Sequence, residues 1–211
     1  MIRAGLAFAL FAILTAFVAS GALQDVDLRA LTAIQTPQGR LLDLGASLVS
    51  LAGQAEITGS IALGVALVRL RHRRRDWAVP LAIAAVVLIE SVLKTVVPQT
   101  PPPADRARSI AVLPFLEVPF GNSFPSGHVA RTAFLLVALR APALLTVLGL
   151  AAMAVTRVYL ADHWPSDVVG GLLLGAAVAW AVRVDARFRR SSTAPLARAR
   201  RGATRRGTDD R

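Results

Sequence analysis

Cysteine is absent from the 211-residue chain, which excludes disulfides, thiolate metal sites and cysteine nucleophiles. Lysine is almost absent too: Lys94 is the only one among 24 basic residues. Charged residues are only 18% of the chain against 55% hydrophobic ones, and the mean hydropathy is +0.55. A soluble domain of this length carries more polar side chains than that. No internal repeat is visible. The apolar runs recur along most of the sequence, which argues for one membrane domain rather than two soluble ones.

Six runs are near the roughly 20 residues a helical span needs. The first covers residues 4–21 behind Arg3; its apolar core is longer than the roughly 7–15 residues usual in a cleaved signal, so it reads as a retained helix. Residues 25–50 carry charges on a helical apolar pattern (Val26, Leu28, Leu31, Ile34, then Leu41, Leu44, Leu48) broken by Pro37 and Gly39. They read as two short interfacial helices. Spans follow at about 54–70, 77–97, 124–140, 142–160 and 165–182. Between the third and fourth lies a proline-punctuated loop, 98–123, whose apolar part, 110–120, suits the outer membrane interface. The expected fold is thus all-α: a six-transmembrane-helix bundle with short extracytoplasmic interfacial helices.

The net charge of +11 is unevenly placed. Much of it lies in Arg69, Arg71, Arg73, Arg74 and Arg75 and in the stretch from Arg183 onwards. Six spans that start inside put both clusters in the cytoplasm, in keeping with the positive-inside rule. The chain therefore divides into a membrane domain, 1–184, and an Arg-rich tail, 185–211, expected to be disordered and to meet anionic lipid head groups. A nucleic-acid partner suits the tail but not the spans, and is not expected.

With that topology, the unusual polar residues gather on one membrane face. Lys94 ends the third span; Pro125, Ser126, Gly127 and His128 open the fourth; Arg157 closes the fifth; His163 and Asp167 flank the start of the sixth. Ionisable groups near a bilayer point to function, and this set suits a phosphate. A helix N-terminus at Ser126 and Gly127 offers N–H groups and positive potential to an anion, and Gly127 allows close approach. Arg157 can clamp two oxygens while Lys94 supplies a point charge. Asp167, four residues after His163, can fix the tautomer of an imidazole that then attacks phosphorus, with His128 as the acid for the leaving group. Lys94 can also pair with Glu90, one turn earlier.

The string Pro125-Ser126-Gly127-His128 resembles the central motif of the type 2 phosphatidic acid phosphatases, the lipid phosphate phosphatases related to vanadium haloperoxidases. Thr156-Arg157, five residues, His163, three residues and Asp167 is similar to their third motif, with Thr where Ser is usual. The resemblance covers about 54–182. It implies that His163 forms a phosphohistidine supported by Asp167, that His128 is acid and then base, and that Lys94, Ser126, Gly127 and Arg157 hold the phosphoryl group. It implies no metal and no other cofactor. The first motif departs: Pro101-Pro102 stands at the Arg-Pro spacing after Lys94, and Gln99 at a second frequent arginine. Arg106 and Arg108 are the nearby candidates to replace the lost guanidinium.

The expected function is therefore metal-independent hydrolysis of a phosphomonoester or pyrophosphate on a membrane lipid. Phosphatidate, phosphatidylglycerol phosphate and undecaprenyl pyrophosphate all fit, and the Arg- and Ala-rich composition with short loops favours the last in a bacterial plasma membrane. Transfer of the phosphoryl group between lipids is an alternative, as is a degenerate protein that binds lipid phosphate without turning it over.

Overall fold

The computed structural model describes residues 1–113 and 121–183, and the regular elements among them are all helical. The expected interfacial stretch at 114–120 and the Arg-rich tail lie outside the described residues. In chain order the helices are α1 (Ile2–Ala19), α2 (Gln24–Ile34), α3 (Arg40–Leu51), α4 (Ala55–Arg71), α5 (Ile83–Val96), α6 (Gly127–Leu139), α7 (Ala143–Tyr159) and α8 (Pro165–Arg183). Prolines set several starts, because proline fits the first helical turn or the residue before it. Pro142 precedes α7, Pro165 opens α8, and Pro80 is the second residue of the 3-10 turn Val79–Ala82 that leads into α5.

Four lengths are long and apolar enough to cross a bilayer: Ile2–Ala19, Arg40–Arg71, Val79–Val96 and Pro165–Arg183. The second runs α3 and α4 together across a break at 52–54. Helices α6 and α7, read as spans from the sequence, have 13 and 17 residues. At 1.5 Å per residue these are about 20 and 26 Å long, short of a hydrocarbon core of about 30 Å. The length missing from α6 lies in the irregular stretch 121–126, of which 123–126 are buried in protein. There Ser123 N–H donates to the Gln99 carbonyl (2.7 Å), the Asn122 amide to the Lys94 carbonyl (3.0 Å) and Ser126 N–H to the Asp167 carbonyl (2.9 Å). Non-helical backbone at membrane depth is tolerated where protein partners satisfy it in this way.

Burial runs opposite to that of a soluble bundle. On α3 the leucines point outward, with Leu41 85% exposed, while Ser47 and Ser50 are buried. On α2, Val26 and Leu28 are exposed and the buried face is Asp27 and Leu31. Apolar side chains also cover the outside of α1, α4 and α7, as lipid-facing helices require.

Inside, α6 is the hub, and α8 lies against it so closely that no side chain fits between them. A Cβ on Gly171 would strike the Ser126 carbonyl, and one on Gly175 the Ala130 carbonyl and, at 2.9 Å, the Phe134 nitrogen. Small residues four apart let helix backbones approach where lipid supplies no hydrophobic drive for association. Phe124 fills the space beside Gly170 and stacks on Phe11 of α1, with ring centroids 5.9 Å apart. The adjoining core contains Val86, Phe134 and Leu174.

This packing predicts that Gly175→Ala destabilises the fold by about 1–3 kcal/mol, since overpacking forces backbone to shift. Gly64, on the outer side of α4, has open space around its Cα, so Gly64→Ala is expected to be neutral or stabilising by up to about 1 kcal/mol. Thermal unfolding of the two variants in the same detergent checks the contrast.

Candidate active site

Five chain segments end at one buried locus. The C-terminal part of α5 brings Glu90 and Lys94; 121–126 and the start of α6 bring Ser126, Gly127, His128 and Arg131. The end of α7 brings Arg157, the turn after it Asp162 and His163, and the start of α8 Asp167. The break between α3 and α4 brings Ser50 and Gly53.

His163 Nδ1 lies 3.3 Å from Asp167 Oδ2, and that oxygen also accepts the Trp164 N–H at 2.9 Å. With the proton on Nδ1 donated to the carboxylate, Nε2 keeps its lone pair. Asp167 is fully buried and His163 nearly so. Burial, together with the Arg157 and Lys94 cations, pushes the His163 pKa well below its ordinary value of 6.5, against the opposite pull of Asp162 and Glu90. The imidazole is therefore neutral at pH 7. His128 is within electrostatic reach of Arg157, Arg131, His163 and Lys94, and its Nε2 is buried with no hydrogen-bond partner.

Each cation already touches a carboxylate. Arg157 Nη1 donates to Ser50 Oγ (2.6 Å) and to Asp162 Oδ2 (2.9 Å). Lys94 Nζ is 3.0 Å from Glu90 Oε1, and Arg131 Nη1 is 2.7 Å from Glu90 Oε2. Arg131 also forks onto the Gly53 carbonyl through Nε (3.3 Å) and Nη2 (3.2 Å). Two glycines make these contacts fit: a Cβ on Gly127 would overlap the Glu90 carboxylate, and one on Gly53 would come within 2.8 Å of His128 Cβ. Gly127 thus makes room for Glu90. Ser126 is fully buried and its N–H is engaged by the Asp167 carbonyl, so the N–H groups left for an anion are those of the first turn of α6.

The structure gathers Lys94, Ser126, Gly127, His128, Arg157, His163 and Asp167 at this locus and turns Arg106 and Arg108 elsewhere. Arg106 Nη1 donates to Thr32 Oγ1 (3.0 Å). Arg108 Nη1 donates to the Pro37 carbonyl (3.1 Å), and its guanidinium lies over the Tyr159 ring, 5.2 Å from the centroid. Gln99, where a second arginine is frequent, donates to Ser166 Oγ at 3.5 Å. Ser166 in turn gives its N–H (2.9 Å) and hydroxyl (2.6 Å) to the two oxygens of buried Asp27. That carboxylate on α2 ties down the first turn of α8; burial raises its pKa, against the two Ser166 bonds.

The sequence reading left out Asp27, Gly53 and Arg131 as site residues. Asp27 had a signal: it lies four residues from Leu23 and from Leu31, so a carboxylate sits on the stripe that α2 buries. Arg131 falls one turn after His128 on an apolar helix, which limits where its charge can go. Gly53 had none.

Set beside known proteins, this fold and site fall in one class. The PAP2 superfamily model matches residues 75–191, more than half of the chain, and the chain belongs to that superfamily. It is an all-helical membrane protein. Over 118 residues it is 36% identical to a decaprenylphosphoryl-5-phosphoribose phosphatase of Mycobacterium tuberculosis (strain CDC 1551 / Oshkosh), covering 53% of this chain and 62% of that one. Over 63 residues it is 36% identical to an undecaprenyl-diphosphatase of Sulfolobus acidocaldarius, covering 28% of this chain and 31% of that protein. The chain therefore spans less than two thirds of the length of either relative. The crystal structure of a transmembrane PAP2 type phosphatidylglycerolphosphate phosphatase from Bacillus subtilis shares the fold, with a TM-score of 0.71, 21% identity and coverage of 87% of this chain and 95% of that one.

Asp27→Ala leaves the two Ser166 donors without their acceptor. It is expected to lower stability by about 1–3 kcal/mol, read as a fall in the unfolding midpoint, while Asp25→Ala, on the exposed side of α2, leaves the midpoint within about 0.5 kcal/mol.

Proposed function

We propose that the protein hydrolyses a phosphoryl group from a membrane lipid without a metal ion, at a site open to the extracytoplasmic face of a bacterial plasma membrane. The observation that carries this reading is the buried, carboxylate-oriented His163 with Arg157 and Lys94 acting on the same imidazole. The relatives' names support a lipid phosphate as the substrate class. In this reading α6 and α7 complete a six-span bundle, their short lengths supplemented by 121–126 and by the neighbouring helices, and the C-terminal tail is cytoplasmic.

The chemistry follows from the donors available. The phosphoryl oxygens are held by Arg157, Lys94 and the N-terminal N–H groups of α6 beside Ser126 and Gly127. His163 Nε2 donates its lone pair to phosphorus, the bond from phosphorus to the lipid oxygen breaks, and the electron pair leaves with that oxygen. His128, whose imidazolium form a neighbouring phosphate dianion favours, gives the oxygen its proton. A water then attacks the phosphohistidine while His128 takes a water proton, the P–N bond breaks, and phosphate leaves with neutral His163 restored. Asp167 holds the tautomer and stabilises charge on His163 throughout. An amphiphile suits the setting, since its head group can enter while its tail stays in lipid.

Purified protein is expected to release phosphate from phosphatidate in EDTA, and His163→Ala to abolish release. Unchanged activity in that variant removes the assigned nucleophile. Because the imidazole must be neutral to attack and its pKa is lowered, the acidic limb of kcat/KM is expected below pH 6.5. Loss of the Arg157 cation relieves part of that lowering, so the residual activity of Arg157→Gln should show the limb moved to higher pH.

A further inference from the structure

Three cations surround the two histidines, and three carboxylates answer them. Glu90 is shared by Lys94 and Arg131, Asp162 holds Arg157, and Asp167 holds His163. Apart from the imidazoles themselves, these three cations and three carboxylates sum to no net formal charge, and buried Asp27 behind Ser166 is a further carboxylate. The Glu90 carboxylate also lies against Gly127, where α6 begins, so it meets part of the positive potential that the helix N-terminus offers an anion. Arg106 and Arg108, the candidates to replace the missing guanidinium, do not join this cluster. Both are turned to Thr32, Pro37 and Tyr159.

A phosphomonoester brings a charge of about −1.5 to −2 and three non-bridging oxygens. Arg157, Lys94 and the first turn of α6 supply donors for those three. A lipid diphosphate brings one more negative charge and two more non-bridging oxygens. The remaining charged groups around the site are the carboxylates Glu90, Asp162 and, behind Ser166, Asp27, so the added charge meets like charge and the added oxygens meet acceptors. Like charges and unmatched acceptors at close range reject a ligand strongly.

We propose that Glu90, by neutralising Lys94 and Arg131 together, restricts the site to lipid phosphomonoesters over lipid diphosphates. This rests on the phosphatase reading above and narrows it. Glu90 acts through the cations it holds and is a specificity-determining residue, not a catalytic one.

The test compares initial rates of phosphate release from phosphatidate and from the diphosphate of the same diacylglycerol, in mixed micelles at pH 7. Wild type is expected to favour the monoester in kcat/KM by at least about tenfold, the effect of one uncompensated charge near a partly buried site. Glu90→Gln keeps the shape and removes the charge, so the diphosphate-to-monoester ratio should rise by about tenfold even where both rates fall. Pro101→Arg provides a second arm: Pro101 is exposed and adjoins Thr100, so a cation there reaches the mouth of the site without disturbing Glu90, and the same ratio should rise. A wild type that cleaves the diphosphate as fast as the monoester overturns the proposal and leaves the phosphatase reading standing. So does a Glu90→Gln variant that folds and loses both activities in equal proportion. Release from neither lipid by wild type overturns the phosphatase reading, and the selectivity with it.

Discussion

The hydrogen bond from Ser126 N–H to the Asp167 carbonyl, 2.9 Å long, joins the beginnings of α6 and α8, and the rest of the site is arranged around it. One residue beyond Gly127 stands His128; Asp167 itself orients His163. The two histidines come within electrostatic reach of each other because the two helix starts meet, and these meet because the helices touch backbone to backbone. Gly171 and Gly175 permit that contact. Glycine at this spacing weakens a helix in isolation, so the geometry of the site is obtained at some expense of local helix stability and is repaid by close packing of α8 along α6.

Charge enters this fold under a strict condition. Ionised groups taken out of water are unfavourable unless each finds a partner and its remaining donors are used. Arg131 illustrates it, dividing its guanidinium between Glu90 and the Gly53 carbonyl. Gly53 sits in the break between α3 and α4, where the chain leaves the helical ladder and frees a carbonyl. The break serves the packing in two ways: it supplies an acceptor for Arg131, and the lack of a side chain at Gly53 lets His128 lie against it. A continuous helix from α3 through α4 would provide neither. The leucines of α3 face outward for the same reason that its serines face inward: the apolar surroundings are on the outside.

The helices were legible in the sequence to within a few residues, because apolar runs ended by Pro, Gly or arginine clusters are strong local signals. The motif residues were legible as well, since His, Asp, Lys and Arg at helix ends stand out on an apolar background. What could not be read was partnership across the bundle. Whether Arg131 faces Glu90 or lipid depends on the rotation of α6, and a stretch of thirteen residues with apolar side chains nearly all round gives no face to orient it. Gly127 shows a different gap. Its spacing suggested backbone approach to a phosphate, whereas the side chain it makes room for is Glu90, a residue the sequence offered only as a partner of Lys94. The fourth span was read from 124, whereas α6 begins at Gly127: Pro125 and the bonds of Ser123 to the Gln99 carbonyl and of Ser126 to the Asp167 carbonyl hold the chain before it irregular.

Arg106 and Arg108 show why nearness in sequence is a poor guide to replacement. Both follow the Pro101-Pro102-Pro103 run, which stiffens the chain and directs it away from Lys94 towards α2 and α7. There the loop is fastened several times over: Arg108 N–H donates to the Leu160 carbonyl at 3.0 Å, Gln35 donates to the Arg106 carbonyl at 3.0 Å, and Ile110 N–H donates to Ser47 Oγ at 3.0 Å. Swinging either guanidinium to the histidines means giving up its bonds to Thr32, or to the Pro37 carbonyl and Tyr159, and leaving those acceptors unmatched. Loop and site are thus coupled through α7, whose last turn carries both Tyr159 and Arg157. Arg106 and Arg108 act as fasteners of the loop, to Thr32 of α2, to the Pro37 carbonyl and to Tyr159 at the end of α7.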